Sequence, residues 1–144
     1  MEGDRGTRVS PVSKWIAGTW LGWVLGLVLI IVLALVGETL GAGGTQMIVG
    51  LGMGLGVGIM QARRVAGNLR QGRAWCASCA VGLSLPFLAM DLGAHSGLRI
   101  PMSYALPLAV SAGGLIAGVW QARILGARFP SSLAWVAASV AGWS

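Results

Sequence analysis

Residues 54–63 read GLGVGIMQAR, and residues 114–123 read GLIAGVWQAR. Each stretch ends in Gln-Ala-Arg, and eleven residues further on each is followed by an Ala-Trp pair, Ala74-Trp75 and Ala134-Trp135. Compared without gaps at an offset of 60, residues 54–84 and 114–144 agree at eleven positions, Gly82/Gly142 among them. The same step extends upstream to Trp15, Trp75 and Trp135, to Ala17, Ala77 and Ala137, and to Gly22, Gly82 and Gly142. A small polar residue keeps it too, at Thr19, Cys79 and Ser139. Self-similarity at a fixed period defines the building unit of a chain.

That unit belongs in lipid. The chain has 144 residues, of which 56% are hydrophobic and only 10% charged. A water-soluble surface needs roughly 25% charged residues. The 24 glycines point the same way, since glycine is commoner in membrane helices than in soluble ones. A net charge of +6 would suit nucleic acid, but the basic residues are placed as in a membrane protein, and no nucleic acid is expected as a partner. Two cysteines are too few for a disulfide framework.

The first span is Ile16 to Val36, 21 residues without a charge, after a plausible N-cap at Ser13. About 20 helical residues cross a hydrocarbon core of ~30 Å. A short second span runs from about Gln46 to Met60, started by Thr45 and ending near Gln61; a third from about Ala74 to Met90; a fourth from about Tyr104 to Trp120. Ser103 would cap the fourth, with Pro107 in its first turn. A fifth begins at Ser132. Nine of the ten Lys/Arg fall on one side of this topology: Arg5, Arg8 and Lys14 in the tail, Arg63, Arg64, Arg70 and Arg73 between spans two and three, Arg123 and Arg128 between four and five. Arg99 alone lies opposite, with Glu38, Asp91 and His95. The positive-inside pattern then puts the N-terminus in the cytoplasm. The first apolar run exceeds the 7–15 residues usual in a signal peptide, and it carries repeat positions, so it is expected to be retained.

The expected fold is therefore an all-α integral membrane protein of tandem, parallel transmembrane hairpins with a ~60-residue unit: four complete spans and a partial fifth. Residues 1–144 form a single membrane domain. Residues 1–14 are a cytoplasmic tail, 15–74 the first hairpin, 75–134 the second, and 135–144 the start of an incomplete third. Ser132 to Ser144 would reach only about 20 Å, so the natural chain is expected to continue into the rest of helix five and a sixth helix. The pattern Trp-x-Ala-x-(small)-x-x-Gly, followed by a Gly-rich helix ending Gly-x-x-Gln-Ala-Arg, resembles a group of small bacterial multi-pass proteins with repeated hairpins of Gly-x-x-Gln-x-x-x-Leu-Arg type. Here Arg63 and Arg123 sit two residues after the Gln, and no Leu-Arg pair follows at that group's place. The resemblance implies this architecture and a bacterial origin, and no activity; the expected location is the bacterial inner (cytoplasmic) membrane.

Gly50, Gly54 and Gly58 share one helical face and Gly52 and Gly56 another; with Gly114 and Gly118 they are expected to pack helices closely. A phosphate loop is excluded by the lack of a preceding strand and of a Gly-Lys-Ser/Thr ending. Gln61 and Gln121 are read as clamps to the next helix's start, or else as the rim of a small cytoplasmic mouth. Arg63 and Arg123 would meet the negative helix ends and lipid phosphates. Trp15, Trp75, Trp120 and Trp135 are read as an interfacial belt. Trp20 and Trp23 are expected to face lipid or a neighbouring helix, with a pigment or quinone as the alternative. Cys76 and Cys79 lack two further ligands for a metal and read as packing residues. Glu38, Asp91, His95 and Arg99 read as solvated span ends rather than an ion path. Pro86 should kink span three.

No span centre carries a charge, and no acid/base pair can be assembled on one side. The sequence requires no cofactor. The function expected is a non-catalytic accessory subunit of a larger bacterial membrane complex, with lipids and other integral subunits as partners. The alternative is a small channel or carrier for an uncharged or anionic solute, lined by glycine, Gln61 and Gln121. An integral membrane enzyme ranks third.

Overall fold

Long uncharged runs leave each backbone N–H no partner but a carbonyl one turn back, and the chain folds accordingly into helices. A computed structural model describes residues 11–41, 44–65, 69–98, 100–126 and 131–143. It contains α1 (Pro11–Thr39), α2 (Met47–Val65), α3 (Leu69–His95), α4 (Met102–Leu125) and α5 (Ser132–Trp143), with no strand among the described residues. Among the described residues three stretches are long and apolar enough to cross a membrane: Ile16–Thr39, Arg70–His95 and Met102–Leu125. Large apolar side chains on them face outward, Trp20, Ile31, Leu35 and Leu108 among them. Such extensive exposed apolar surface belongs to proteins that meet lipid or partners.

The helices outrun the bounds expected from hydropathy. Ser13 lies inside α1, which is described from Pro11, whose missing N–H is harmless in a first turn. Arg63, Arg64, Arg70, Arg73 and Arg123 are helical rather than loop residues. Hydropathy marks where the apolar layer ends, whereas the backbone ladder continues past it until a turn residue intervenes. At α4 the N-cap is Pro101, not Ser103, and its carbonyl takes the N–H of Tyr104 at 2.9 Å and of Ala105 at 3.0 Å. Pro107 therefore falls in the second turn, where it deprives the Ser103 carbonyl of its helical donor. The α3–α4 turn closes on Gly97 (φ 87°), with Leu98 N–H donating to the Gly93 carbonyl at 2.9 Å. Only a residue tolerant of positive φ ends a helix in this way. Ser131 Oγ accepts the N–H of Ala134 at 3.2 Å and caps α5.

α2 is 19 residues long and is not among the three apolar stretches. Glycine at every second position and the closing Gln-Ala-Arg-Arg lower its hydropathy. Those glycines set its neighbours instead. A Cβ on Gly52 would lie 2.6 Å from Ile30 of α1, and one on Gly56 would collide with the backbone of Gly22 and Gly26. On the other face, a Cβ on Gly50 would lie 2.5 Å from the Leu83 carbonyl of α3, one on Gly54 would collide with the Cys79 carbonyl, and one on Gly58 would meet Cys76 Cα at 3.0 Å. α2 is thus wedged between α1 and α3. In the same manner α4 lies between α3, through Gly113 against Leu83, and α5, through Gly114 and Gly118 against Ser139.

Corresponding contacts recur at matching positions. Gly22 faces Val57 and Gly82 faces Ala117; Gly58 faces Cys76 and Cys79, and Gly118 faces Val136 and Ser139. Each pair is 60 residues apart on both sides of the contact.

Candidate functional site

The polar chemistry inside the bundle centres on two glutamines. Gln61 is 7% exposed and Gln121 4%. A buried amide must find partners for both of its ends. Gln61 Oε1 accepts the indole N–H of Trp75 at 3.1 Å, and its Nε2 donates to Thr19 Oγ1 at 3.2 Å. Gln121 Oε1 accepts the indole N–H of Trp135 at 3.3 Å, and its Nε2 donates to Cys79 Sγ at 3.1 Å. Each glutamine therefore ties the helix before its own to the helix after it. The two tryptophans meet edge to face, with ring centroids 5.7 Å apart and planes at 65°. One polar and aromatic chain thus runs Thr19–Gln61–Trp75–Trp135–Gln121–Cys79 and touches all five helices.

Trp75 is 1% exposed, so it is no part of an interfacial belt. Its N–H finds an amide instead of water, and burial follows. Trp135 is half-buried and Trp120 exposed. Trp15 is helical, and its side chain lies outside the described residues. Arg63 and Arg123 are exposed in the last turns of α2 and α4. Arg64 lies across α1, its Cδ and Nε 3.0 Å from where Gly18 would carry a Cβ.

Thr19, Gln61, Gln121 and Ser139 line one cavity of about 90 Å³, with Trp23, Gly142 and Trp143 also in its wall. Those two indoles stack with centroids 6.1 Å apart and planes at 27°, bringing α1 against α5. The space admits a few waters. Its polar lining is amides and hydroxyls, which can bind a neutral hydrogen-bonding solute and offer no acid or base. Trp20 is 71% exposed and flanks a separate apolar hollow with Ile16, Thr19 and Trp23. Among the described residues no three His, Cys, Asp or Glu gather as a metal site. Cys76 and Cys79 are both free thiols.

At the far end of α3, Asp91 is not a solvated span end. Its carboxylate accepts the N–H of Gln46 at 3.0 Å and of Met47 at 2.9 Å, and so caps α2 from another helix. Two unsatisfied donors and the positive end of the helix dipole supply the reason. His95 Nδ1, in the tautomer protonated there, donates to the Asp91 carbonyl at 2.9 Å. Glu38 is exposed in the last turn of α1, and Arg99 lies outside the described residues.

Sequence reasoning missed the Asp91 cap and the acceptor role of Thr19 and Cys79. The second had a signal: Trp15-Thr19, Trp75-Cys79 and Trp135-Ser139 all stand four residues apart, on one helical face. No family model matches the chain, and neither a curated protein nor a solved structure matches it significantly. The fold itself defines the class: an all-helical protein with several helices suited to lipid.

Proposed function

We propose that the chain is a non-catalytic subunit of a larger assembly in a bacterial cytoplasmic membrane. It is built of tandem hairpins, α1–α2 and α3–α4, with α5 opening a third. The observation that carries this reading is the Gln–Trp clasp, found twice at a spacing of 60 residues together with the glycine contacts around it. α2 crosses the membrane as well, its bare glycine backbone shielded from lipid by α1 on one face and α3 on the other. The arginine-bearing ends, including Arg63, Arg70, Arg73 and Arg123, face the cytoplasm with the N-terminus. Solubilisation in mild detergent followed by native mass analysis tests the assembly. The chain is expected to run with other integral subunits; purification as a well-behaved monomer would count decisively against it. Thiol labelling near Arg70 tests the topology, and labelling from the periplasm in intact cells would overturn it.

A second reading has one observation in its favour. Gln61 and Gln121, from different hairpins, line the same cavity with Thr19 and Ser139, as a path for a small uncharged or anionic solute requires. Flux into liposomes tests it, with Gln61→Leu and Gln121→Leu combined. No flux, or flux indifferent to that change, removes it.

A further inference from the structure

The α2–α3 and α4–α5 junctions share their clasps and differ in charge. The first carries Arg63, Arg64, Arg70 and Arg73, all exposed. Sixty residues on, the second keeps Arg123 but has Ile124, Pro130 and Leu133 where the other three stand. Its remaining cation, Arg128, lies outside the described residues and corresponds to Asn68. Leu133 is 81% exposed, so the repeat unit requires no cation at the position of Arg73. Arg63 belongs to the shared Gln-Ala-Arg run; Arg64, Arg70 and Arg73 are additions to the architecture.

The packing of α2 on α3 brings these charges level. Gly54 lies against Ala80 and Gly58 against Cys76, so each residue forward along α2 is matched by one back along α3. In that register Arg64 stands opposite Arg70, and Arg73 opposite Gln61, within one helical turn. The carboxylates among the described residues, Glu38 and Asp91, stand at the opposite helix ends, so neither neutralises this band.

Depth decides what meets it. Gln61 and Trp75 are enclosed in the bundle, and the arginines begin two residues beyond each. Side chains of that length reach from the end of the apolar layer to the level of lipid phosphates. Nine of the ten basic residues are arginine, whose planar fork grips two phosphate oxygens at once. Val81 follows Arg70 by eleven residues, or about three turns, and so shares its face of α3, with Leu85 one turn further. Both are exposed, and they continue the basic band as an apolar track.

We infer that the α2–α3 end binds one anionic phospholipid whose headgroup carries two phosphodiesters, with an acyl chain along Val81 and Leu85. Two guanidinium groups per phosphate match that headgroup, whereas one phosphodiester would leave like charges facing each other. An acidic protein segment would have to displace headgroups to reach this depth; the lipid is already there. The site requires only that the helices lie in lipid, and it is independent of the assembly proposed above.

The test titrates the full chain, delipidated in mild detergent, and reads lipid adducts by native mass spectrometry. One diphosphatidylglycerol is expected to be retained per chain, at least about tenfold more tightly than phosphatidylglycerol. Phosphatidylcholine should not be retained. Arg70→Gln and Arg73→Leu should each weaken diphosphatidylglycerol binding about fivefold, the usual contribution of one cation facing anionic lipid, and Arg123→Gln less than about twofold. Both altered positions are exposed and Leu133 already stands at the second, so the fold is kept, as circular dichroism would confirm. Equal retention of the two anionic lipids, or equal losses from Arg123→Gln and Arg70→Gln, would show diffuse attraction by the whole basic side and overturn the site. So would displacement of the lipid by equimolar inorganic diphosphate or hexaglutamate, which would assign the arginines to a soluble anion or to an acidic partner segment.

Discussion

The α2–α3 and α4–α5 interfaces use the same positions at different closeness. Where Gly54 would drive a Cβ into the Cys79 carbonyl, Gly114 would hold one 3.0 Å from the Ser139 carbonyl. Trp75 is fully enclosed, whereas its counterpart Trp135 is only half-buried. The chemistry at the two junctions is shared, and what differs is confinement. α3 is gripped between α2 and α4; α5 has α4 on one side, meets α1 at a stacked tryptophan and α3 at Trp75, and buries none of its described residues fully. The same contact therefore stabilises more at the first junction, because α3 has nowhere to move when it is disturbed.

The largest break in that comparison comes from glycine. Gly54→Ala is expected to destabilise by about 2–3 kcal/mol, since a methyl group there meets only backbone. Gly114→Ala should cost under about 1 kcal/mol, as α5 can shift by the few tenths of an ångström required. Unfolding of the two variants in mixed micelles with increasing SDS checks the difference. Equal losses would show that α5 is held as firmly as α3.

Next come the clasps. Gln61→Leu strands the enclosed Trp75 N–H and removes the amide bond to Thr19, for an expected loss of about 1–3 kcal/mol. Gln121→Leu should cost less, about 1 kcal/mol for two bonds at the roughly 0.6 kcal/mol typical between membrane helices, because the half-buried Trp135 can turn its N–H toward another acceptor. A Gln61/Trp75 double-mutant cycle should give the larger coupling of the two clasps. A larger coupling at Gln121/Trp135 would reverse the comparison.

The reasons that α2 and α4 could be foreseen as companions of their neighbours lie in residues that carry pattern. Gly50, Gly54 and Gly58 repeat every four residues and so mark a helix face without any knowledge of what it meets. Trp75 departs from the interfacial place expected of it because an amphipathic ring, taken by residue type, says nothing of Gln61 fourteen residues earlier. Asp91 departs from expectation for a similar cause: its partners, Gln46 and Met47, are 45 and 44 residues away and are backbone donors, which leave no trace in side-chain pattern. Helix ends differ from expectation where hydropathy and hydrogen bonding part company, as at Arg63 and Arg70. Periodicity reports faces; it does not report which distant backbone group a carboxylate will reach.

Asp91 offers a smaller effect that sharpens the contrast, since no carboxylate caps α4 among the described residues. Asp91→Ala should lower stability by about 0.5–2 kcal/mol, the usual worth of an N-cap, with Asn recovering part of it. Amide exchange should rise locally at Gln46 and Met47. Unchanged exchange there would mean that water replaces the carboxylate at no loss, and that the start of α2 is as independent as the start of α4.

The smallest effect belongs to Gly142, and its smallness is informative. Gly22 and Gly82 stand at matching positions, with a Cβ distance of 2.6 Å to Val57 and 2.8 Å to Ala117, so leucine at either should separate two helices. At Gly142 nothing lies within 4 Å of the place a Cβ would take. Leucine there should leave the isolated chain at least as stable, its higher helix propensity adding about a few tenths of a kcal/mol. Three glycines at one register would then give two large losses and one null result. If Gly142→Leu destabilised the isolated chain as Gly82→Leu does, α5 would already be covered on that face, and the asymmetry between the gripped and the open helix would vanish.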